Sequence, residues 1–273
     1  MPAGDIAHVH LSERGSFLRE GPLVALARKR GLVTVATIHG ASFLPFARRR
    51  PGIASAVLRY ADLITCLDEN TLDQLRRLAP RTRSVVVPNP VVVENQFLPA
   101  DATDELVVFA GEIGLRKGAD VLCRAWELVA RERPNARCLM VGPPGDYAPP
   151  LAKHLTIRPP VGRREMMDIL RSARVIALPS RAEGMPMVLA EAMSLGRPIV
   201  STPVGGVLQL ASAGGFVVSV EDEAALARCL LELLSDPALA RSIGEHGRKF
   251  CLQTRGIAII DARYRELYSA AAL

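Results

Sequence analysis

Residues 178–200 read LPSRAEGMPMVLAEAMSLGRPIV. Glu183 and Glu191 stand on either side of Gly184 and Pro186. Proline suits the first turn of a helix, because its missing N–H is not needed there and its φ is preset. A helix is therefore predicted from about Pro186 to Leu195, stopping at Gly196. Glu183 falls in the loop before it, and Glu191 lies inside it, roughly 7 to 8 Å along the axis. Between the two acids the helix start offers unpaired N–H groups and a partial positive charge. At the carboxyl end of a parallel strand this is a seat for phosphate. A nucleotide sugar fits it: diphosphate at the helix start, Glu191 on the ribose hydroxyls, Glu183 toward the sugar. An ordinary α/β helix whose acids offset the dipole explains the spacing at least as well.

On both sides of this stretch, β-branched runs alternate with helical patterns, as in βαβ units with parallel sheets. DIAHVHL, LVTVATIHG, DLITCL and RSVVVPNP read as four strands separated by helices, the first helix being SFLREGPLVALARKRG. A turn-rich junction follows near residues 90 to 103. A second series opens with ELVVFAGEIG and continues through ARCLMVG, RVIALPS, RPIVST and GGFVVSV, about six strands in all. The expected organisation is a shortened Rossmann-like first domain, 1–95, and a second Rossmann-like domain, 96–252. Residues 253–273 form a closing helix that could cross back to the first.

Composition narrows the function. Aromatics make up 4% of the 273 residues, which argues against a base-stacking nucleic-acid binder. A net charge of +6 favours anionic partners. Five scattered cysteines without a C-x-x-C pair read as reduced thiols of a cytosolic protein. No apolar run reaches the roughly 18 residues of a membrane span. FARRRPG, after Phe43 and Leu44, reads as a basic loop that either is solvated or touches an anionic membrane surface. His8 and His10 share a strand face but lack a third ligand, so they are read as structural or cleft-lining rather than as a zinc site.

SRAEGMPMVLAEAMSLGRPIVSTPVGG resembles the signature of the retaining glycosyltransferases of family 4, group 1, which have the GT-B fold. A Glu, seven residues and a Glu follow Pro-Ser and precede Gly-x-Pro-Ile and Gly-Gly. VFAGEIGLRKGADVLCRAW, DIAHVHLS, VTVATIHG and VVVPNPV are similar to the family too. The resemblance implies two doubly wound Rossmann-like domains, the first incomplete here. It implies transfer of a sugar, with retention, from a UDP- or GDP-sugar to a carbohydrate or lipid-linked acceptor in polysaccharide, glycolipid or envelope biosynthesis. No metal or cofactor is expected.

By the resemblance, Glu191 binds the donor ribose and Glu183 the donor sugar. Gly111, Arg116, Lys117, Gly184, Met185, Pro186 and Met187 line the donor seat, and Lys117 opens the following helix. His39, Glu183 and Lys117 are the catalytic candidates. Glu112 stands where the family has an arginine; an acid repels phosphate, and Arg116 is the candidate to supply the lost charge. The family's opening units, including a glycine-rich loop, have no counterpart in these residues. The chain alone is therefore expected to bind nucleotide with little transfer, and to self-associate or need a partner. A non-catalytic nucleotide-sugar-binding subunit is the alternative. A GT-B epimerase or phosphorylase, and an adaptor using only the basic charge, are further rivals.

Overall fold

The computed structural model describes residues 5–12, 15–40, 43–94 and 97–272. They form two compact units, residues 1–90 with 258–273, and residues 91–257.

The first unit holds a parallel sheet in the order β1 (Ile6–Leu11), β2 (Val33–Ile38), β3 (Leu63–Cys66), β4 (Arg83–Val86). Strand side chains alternate between faces. Ala36, Ile38, Ile64 and Cys66 thus join one core, covered by α1 (Gly15–Lys29), α2 (Phe43–Arg49), α3 (Pro51–Leu58) and α4 (Glu69–Leu78). Val35 and Leu63 point the other way, onto Ile260 and Leu267 of the C-terminal helix. That helix spans Ile257–Ala271. α4 shows how local sequence sets an end: Asp68 caps it by accepting from the Thr71 amide at 2.9 Å, and Leu72, Leu75 and Leu78 face the core.

The stretch after β2 departs from the sequence reading. It is the helix α2 and not a loop, and Phe43 is 1% exposed while Leu44 and Phe46 pack on the core. The apolar residues that would enter a membrane face inward, and the exposed Arg48, Arg49 and Arg50 stand alone at the helix end.

The second unit has six parallel strands: β5 (Leu106–Ala110), β6 (Arg137–Val141), β7 (Leu155–Arg158), β8 (Val175–Leu178), β9 (Ile199–Ser201) and β10 (Gly215–Val217). Its helices are α5 (Ala119–Glu132), α6 (Arg163–Ser172), α7 (Met187–Ser194), α8 (Val207–Gly214), α9 (Glu223–Ser235) and α10 (Pro237–Thr254); the closing helix Ile257–Ala271 is α11. The sheet order is β10-β9-β8-β5-β6-β7. The chain steps from β5 outward to β7, then returns to the other flank of β5. The order therefore reverses between β5 and β8, where the following loops part and open sheets bind ligands.

Two elements here were not read from sequence. β7 is an edge strand, half-exposed on both faces, so it lacks an apolar run. α8 is short, rich in small residues and bounded by glycines, which resembles a turn. Two boundaries also differ. Lys117 does not open α5; it ends a 3-10 turn, Leu115–Lys117, and Gly118 (φ +72°) separates that turn from the helix. Pro186 caps α7, which begins at Met187.

Gly118 fixes how close β5's turn comes to β8. Its φ is left-handed, and an added Cβ would collide with the Pro179 carbonyl. Gly118→Ala should lower the stability of this unit by on the order of 2–4 kcal/mol, from clash plus backbone strain. Urea unfolding checks this, and a change below about 0.5 kcal/mol, within ordinary surface-substitution effects, would show that the backbones are not so tightly set.

Candidate functional site

The reversal point is built from two loops. The first follows β5: Gly111, Glu112, Ile113, Gly114, then the 3-10 turn with Arg116 and Lys117. It is stitched to the loop after β6. The Ile113 amide donates to the Pro143 carbonyl at 2.9 Å and the Gly145 amide to the Ile113 carbonyl at 3.0 Å. The Asp146 carboxylate accepts from the Leu115 amide at 2.7 Å and so holds the start of the turn. A Cβ on Gly142 would overlap the Gly111 carbonyl, so this approach needs glycine at 142, while Gly111 is favoured by its own φ of +152°.

The second loop, Pro179 to Pro186, follows β8 and carries Glu183. Gly205, with φ +56°, lies against the Glu183 and Gly184 carbonyls, and the Gly206 amide donates to the Gly184 carbonyl at 2.7 Å. The Gly-Gly of the quoted signature thus shapes the loop that aims Glu183.

The two loops meet through Lys117 and Glu183. Lys117 Nζ lies 2.6 Å from Glu183 Oε1, and Ser180 Oγ donates to the same oxygen at 2.7 Å. Their side chains are only 14% and 5% exposed, so the attraction is poorly screened by water. The loop carrying Glu183 runs on into α7, whose first amides are left over by the helix's own bonding. The place combines a cation, a carboxylate and helix-end N–H donors, which suits an anion joined to a hydroxylated group.

The other predicted residues lie around this pair. Arg116 donates to the Ala182 carbonyl at 3.4 Å and comes within 3.9 Å of Glu112. Its charge is thus shared with the acid it was expected to replace. Met185 is turned inward, its Sδ 2.9 Å from a guanidinium nitrogen of buried Arg255. Glu191, on α7, is 14% exposed and 3.3 Å from Arg163 at the start of α6. Met187 is half-buried at the first position of α7, behind Pro186.

A cavity of about 560 Å³ opens at the carboxyl ends of β6 and β7. Ile113, Gly142, Asp146, Tyr147, Arg158 and Pro159 are among its walls. Lys117 and Glu183 do not line it, so this cavity and the charged pair occupy different parts of the same sheet edge. Among the described residues, no group of three His, Cys, Asp or Glu could hold a metal ion.

Arg181 is the functional residue that the sequence did not disclose. Its amide donates to the Arg116 carbonyl at 2.8 Å, and its guanidinium reaches the Leu115 carbonyl. The same guanidinium grips Asp120 on α5 through two bonds of 2.7 and 2.8 Å, and Glu221 through bonds of 2.5 and 2.7 Å. Arg181 thus fastens the turn bearing Lys117 to the loop bearing Glu183. The partners lie between 40 and 66 residues away in sequence, distances no periodicity covers. The only local signal was an arginine two places before Glu183.

In the first unit, His39 follows β2; its amide donates to the Leu11 carbonyl at 2.7 Å. Its Nε2 lies 2.8 Å from His10 Nδ1. Burial first, then the His10 charge, pushes the His39 pKa below its ordinary value. His8 is lowered to about 4, chiefly by burial, and its two nitrogens are engaged by Tyr268 Oη at 2.7 Å and Thr37 Oγ1 at 2.6 Å.

Comparison with known proteins bears on both units. Residues 104–236 match the sequence profile "Glycosyl transferases group 1", and residues 4–95 match "Glycosyltransferase Family 4". A D-inositol 3-phosphate glycosyltransferase of Streptomyces avermitilis is 33% identical, over 73% of this chain and 50% of its own length. One from Thermobispora bispora is 29% identical, over 98% of this chain and 71% of its own. The chain spans about half the length of the first of these relatives. Sucrose-phosphate synthase of Thermosynechococcus elongatus superposes with a TM-score of 0.75 at 20% identity, covering 97% of this chain and 74% of that one. The Anabaena protein HepE, in complex with UDP-glucose, gives 0.78 at 16%, covering 96% and 78%. These likenesses establish the two-domain, Rossmann-like GT-B fold.

The Arg181–Asp120 pair gives a pH signature. Hydrogen bonds from Arg181 hold the Asp120 carboxyl at about 2, below its ordinary 3.8. A depressed folded-state pKa adds stability at pH above the unfolded value and loses it as pH falls through the folded one. The contribution should therefore be full above about pH 4 and vanish toward pH 2. Asp120→Asn should cost on the order of 2 kcal/mol at pH 7, less than a fully buried pair because Arg181 is partly solvated. The deficit should shrink between pH 4 and 2; urea midpoints measured across that range check it, and a pH-independent deficit would contradict the assignment.

Proposed function

The chain belongs to the glycosyltransferases of group 1, family 4, and we propose that its second unit seats the nucleoside diphosphate of a sugar nucleotide at the β5–β8 reversal. The observation that carries this is the Lys117–Glu183 pair, on the turn after β5 and the loop that leads into α7. On donor binding, the diphosphate takes Lys117 and the α7 amides, and Glu183 is released to accept from sugar hydroxyls. Glu191 exchanges Arg163 for the ribose hydroxyls. The apolar-walled cavity beyond, at the ends of β6 and β7, suits the base.

The reaction proposed is transfer of the sugar to an acceptor hydroxyl with retention at the anomeric carbon. As the glycosidic bond breaks, negative charge grows on the leaving diphosphate, where Lys117 and the α7 N-terminus stabilise it. The leaving phosphate takes the acceptor proton. Gly111, Gly184, Met185, Pro186 and Met187 shape the seat, Arg116 lies at its rim, and His39 is the first unit's contact for the reacting sugar. The first unit carries 15 of the 34 Lys and Arg but 9 of the 28 Asp and Glu, so the net +6 resides in it. This excess and the relatives' name both support a phosphate-bearing polyol as acceptor.

One observation favours a second reading, a nucleotide-sugar binder without turnover: Glu112 sits on the turn that would face the diphosphate. Incubating the purified chain with UDP- and GDP-sugars and inositol phosphate separates the two. Transfer supports the enzyme, and binding without transfer supports the second reading.

Glu191→Ala should weaken UDP or GDP binding by about 1.5–3 kcal/mol, the range for hydrogen bonds to a charged group, with the fold intact. Unchanged affinity by calorimetry would remove Glu191 from the site. Lys117→Ala should weaken the diphosphate far more than the bare nucleoside, and Glu112→Arg should strengthen it. Weaker binding after Glu112→Arg would mean that this turn handles phosphate by another arrangement.

A further inference from the structure

The imidazoles of the first unit form a defined arrangement, of which the proposed transfer uses only His39. His8 and His10, two apart on β1, stack with centroids 4.5 Å apart. His10 in turn meets His39, ring to ring at 5.0 Å, with the Nδ1–Nε2 contact of 2.8 Å. His8 is itself pinned: Tyr268 of α11 holds one nitrogen, and Thr37 holds the other. Thr37 Oγ1 continues to Thr65 Oγ1 at 2.5 Å, and Thr65 to Tyr264 Oη at 3.5 Å. The rings of β1 are thus fixed from below by the sheet and by α11, and His10 is held between a rigid neighbour and His39.

We propose that His10 is a positioning residue for His39. It occupies Nε2, leaves Nδ1 as the nitrogen through which His39 meets a substrate, and allows the two rings only one added proton between them. The inference rests on the reading of His39 as a substrate contact, but its physical content is independent of turnover. At 2.8 Å one ring must donate and the other accept, so the neutral pair has complementary tautomers. A second proton would place two donors face to face. Among the described residues, the charge acting on His39 is that of His10. The groups packed nearby on β2, β3 and α11 are Thr37, Thr65, Tyr264 and Tyr268, with His8 on β1 itself. No carboxylate is among these described neighbours to draw a second proton in. The lowered pKa of His39 agrees with this in sign.

The test is histidine NMR across pH 4 to 9 on ¹⁵N,¹³C-labelled full chain, with His39→Gln used to assign the His39 signals among the five histidines. Wild type should show His39 fixed in one neutral tautomer, with a titration that responds to its contact with His10. His10→Phe keeps the stack on His8 but offers no partner; His39 should then lose its tautomer preference and titrate in one step, at higher pH. His10→Asn places an amide near the former Nδ1 and should restore the tautomer while leaving a single-step titration. Where transfer is measurable, kcat should fall about tenfold or more in His10→Phe, recover in part in His10→Asn, and leave the donor KM little changed. A His39 titration and tautomer identical in wild type and both variants would overturn the pairing. An altered tautomer with unaltered kcat would overturn the positioning role. Pairing in a chain that transfers no sugar counts against the proposed reaction, not against the pair.

Discussion

The site rests on one topological constraint, the reversal of strand order between β5 and β8. Both strands are central and parallel, and the chain leaves them toward opposite flanks, so a gap opens above their carboxyl ends. Everything that gives the place its chemistry serves to fill or brace that gap. Glycines at 118, 142 and 205 let backbones come closer than a Cβ permits. Arg181 bridges the two loops with its backbone amide and its guanidinium. Only then can Lys117 and Glu183, which lie on separate loops, meet at hydrogen-bond distance with little water around them.

That pair has a double character. Without a ligand it satisfies both charges, so neither group is left unpaired in a poorly hydrated place. It is also the set of groups that a nucleotide sugar requires, a cation for phosphate and a carboxylate for hydroxyls. On the proposed reading, ligand exchange would replace one charge-assisted contact by others of the same kind, so the seat would open without a large penalty. Glu191 repeats the pattern on a smaller scale, resting on exposed Arg163. Glu112 is the discordant element: an acid on the turn beside Lys117, within 3.9 Å of Arg116, with part of that arginine's charge directed to it.

What the sequence disclosed was what is local. The acid spacing around Pro186 and the end at Gly196 are properties of one helix and its flanks, and the structure places α7 there within a residue. Alternating apolar runs revealed the central strands, because strands covered on both faces are continuously hydrophobic. The edge strand β7 and the small helix α8 carry no such signal, and α2 was hidden by its arginines. Arg181, Asp146 and the His10–His39 contact depend on partners far along the chain. Each partner residue is ordinary in its own neighbourhood, and only folding makes it specific. The returning helix α11 belongs to the same class: its Tyr264 and Tyr268 become legible only once they meet β1 and β3.

The central claim is that the β5–β8 reversal of the second unit is a nucleoside diphosphate seat. A crystal structure of the chain soaked with UDP or GDP tests it most directly. The account predicts phosphate density within hydrogen-bond reach of Lys117 Nζ and the first amides of α7, with the Lys117–Glu183 contact opened and the ribose on Glu191. Nucleotide bound elsewhere, or density that leaves Lys117 and Glu183 joined at their present 2.6 Å, would contradict it.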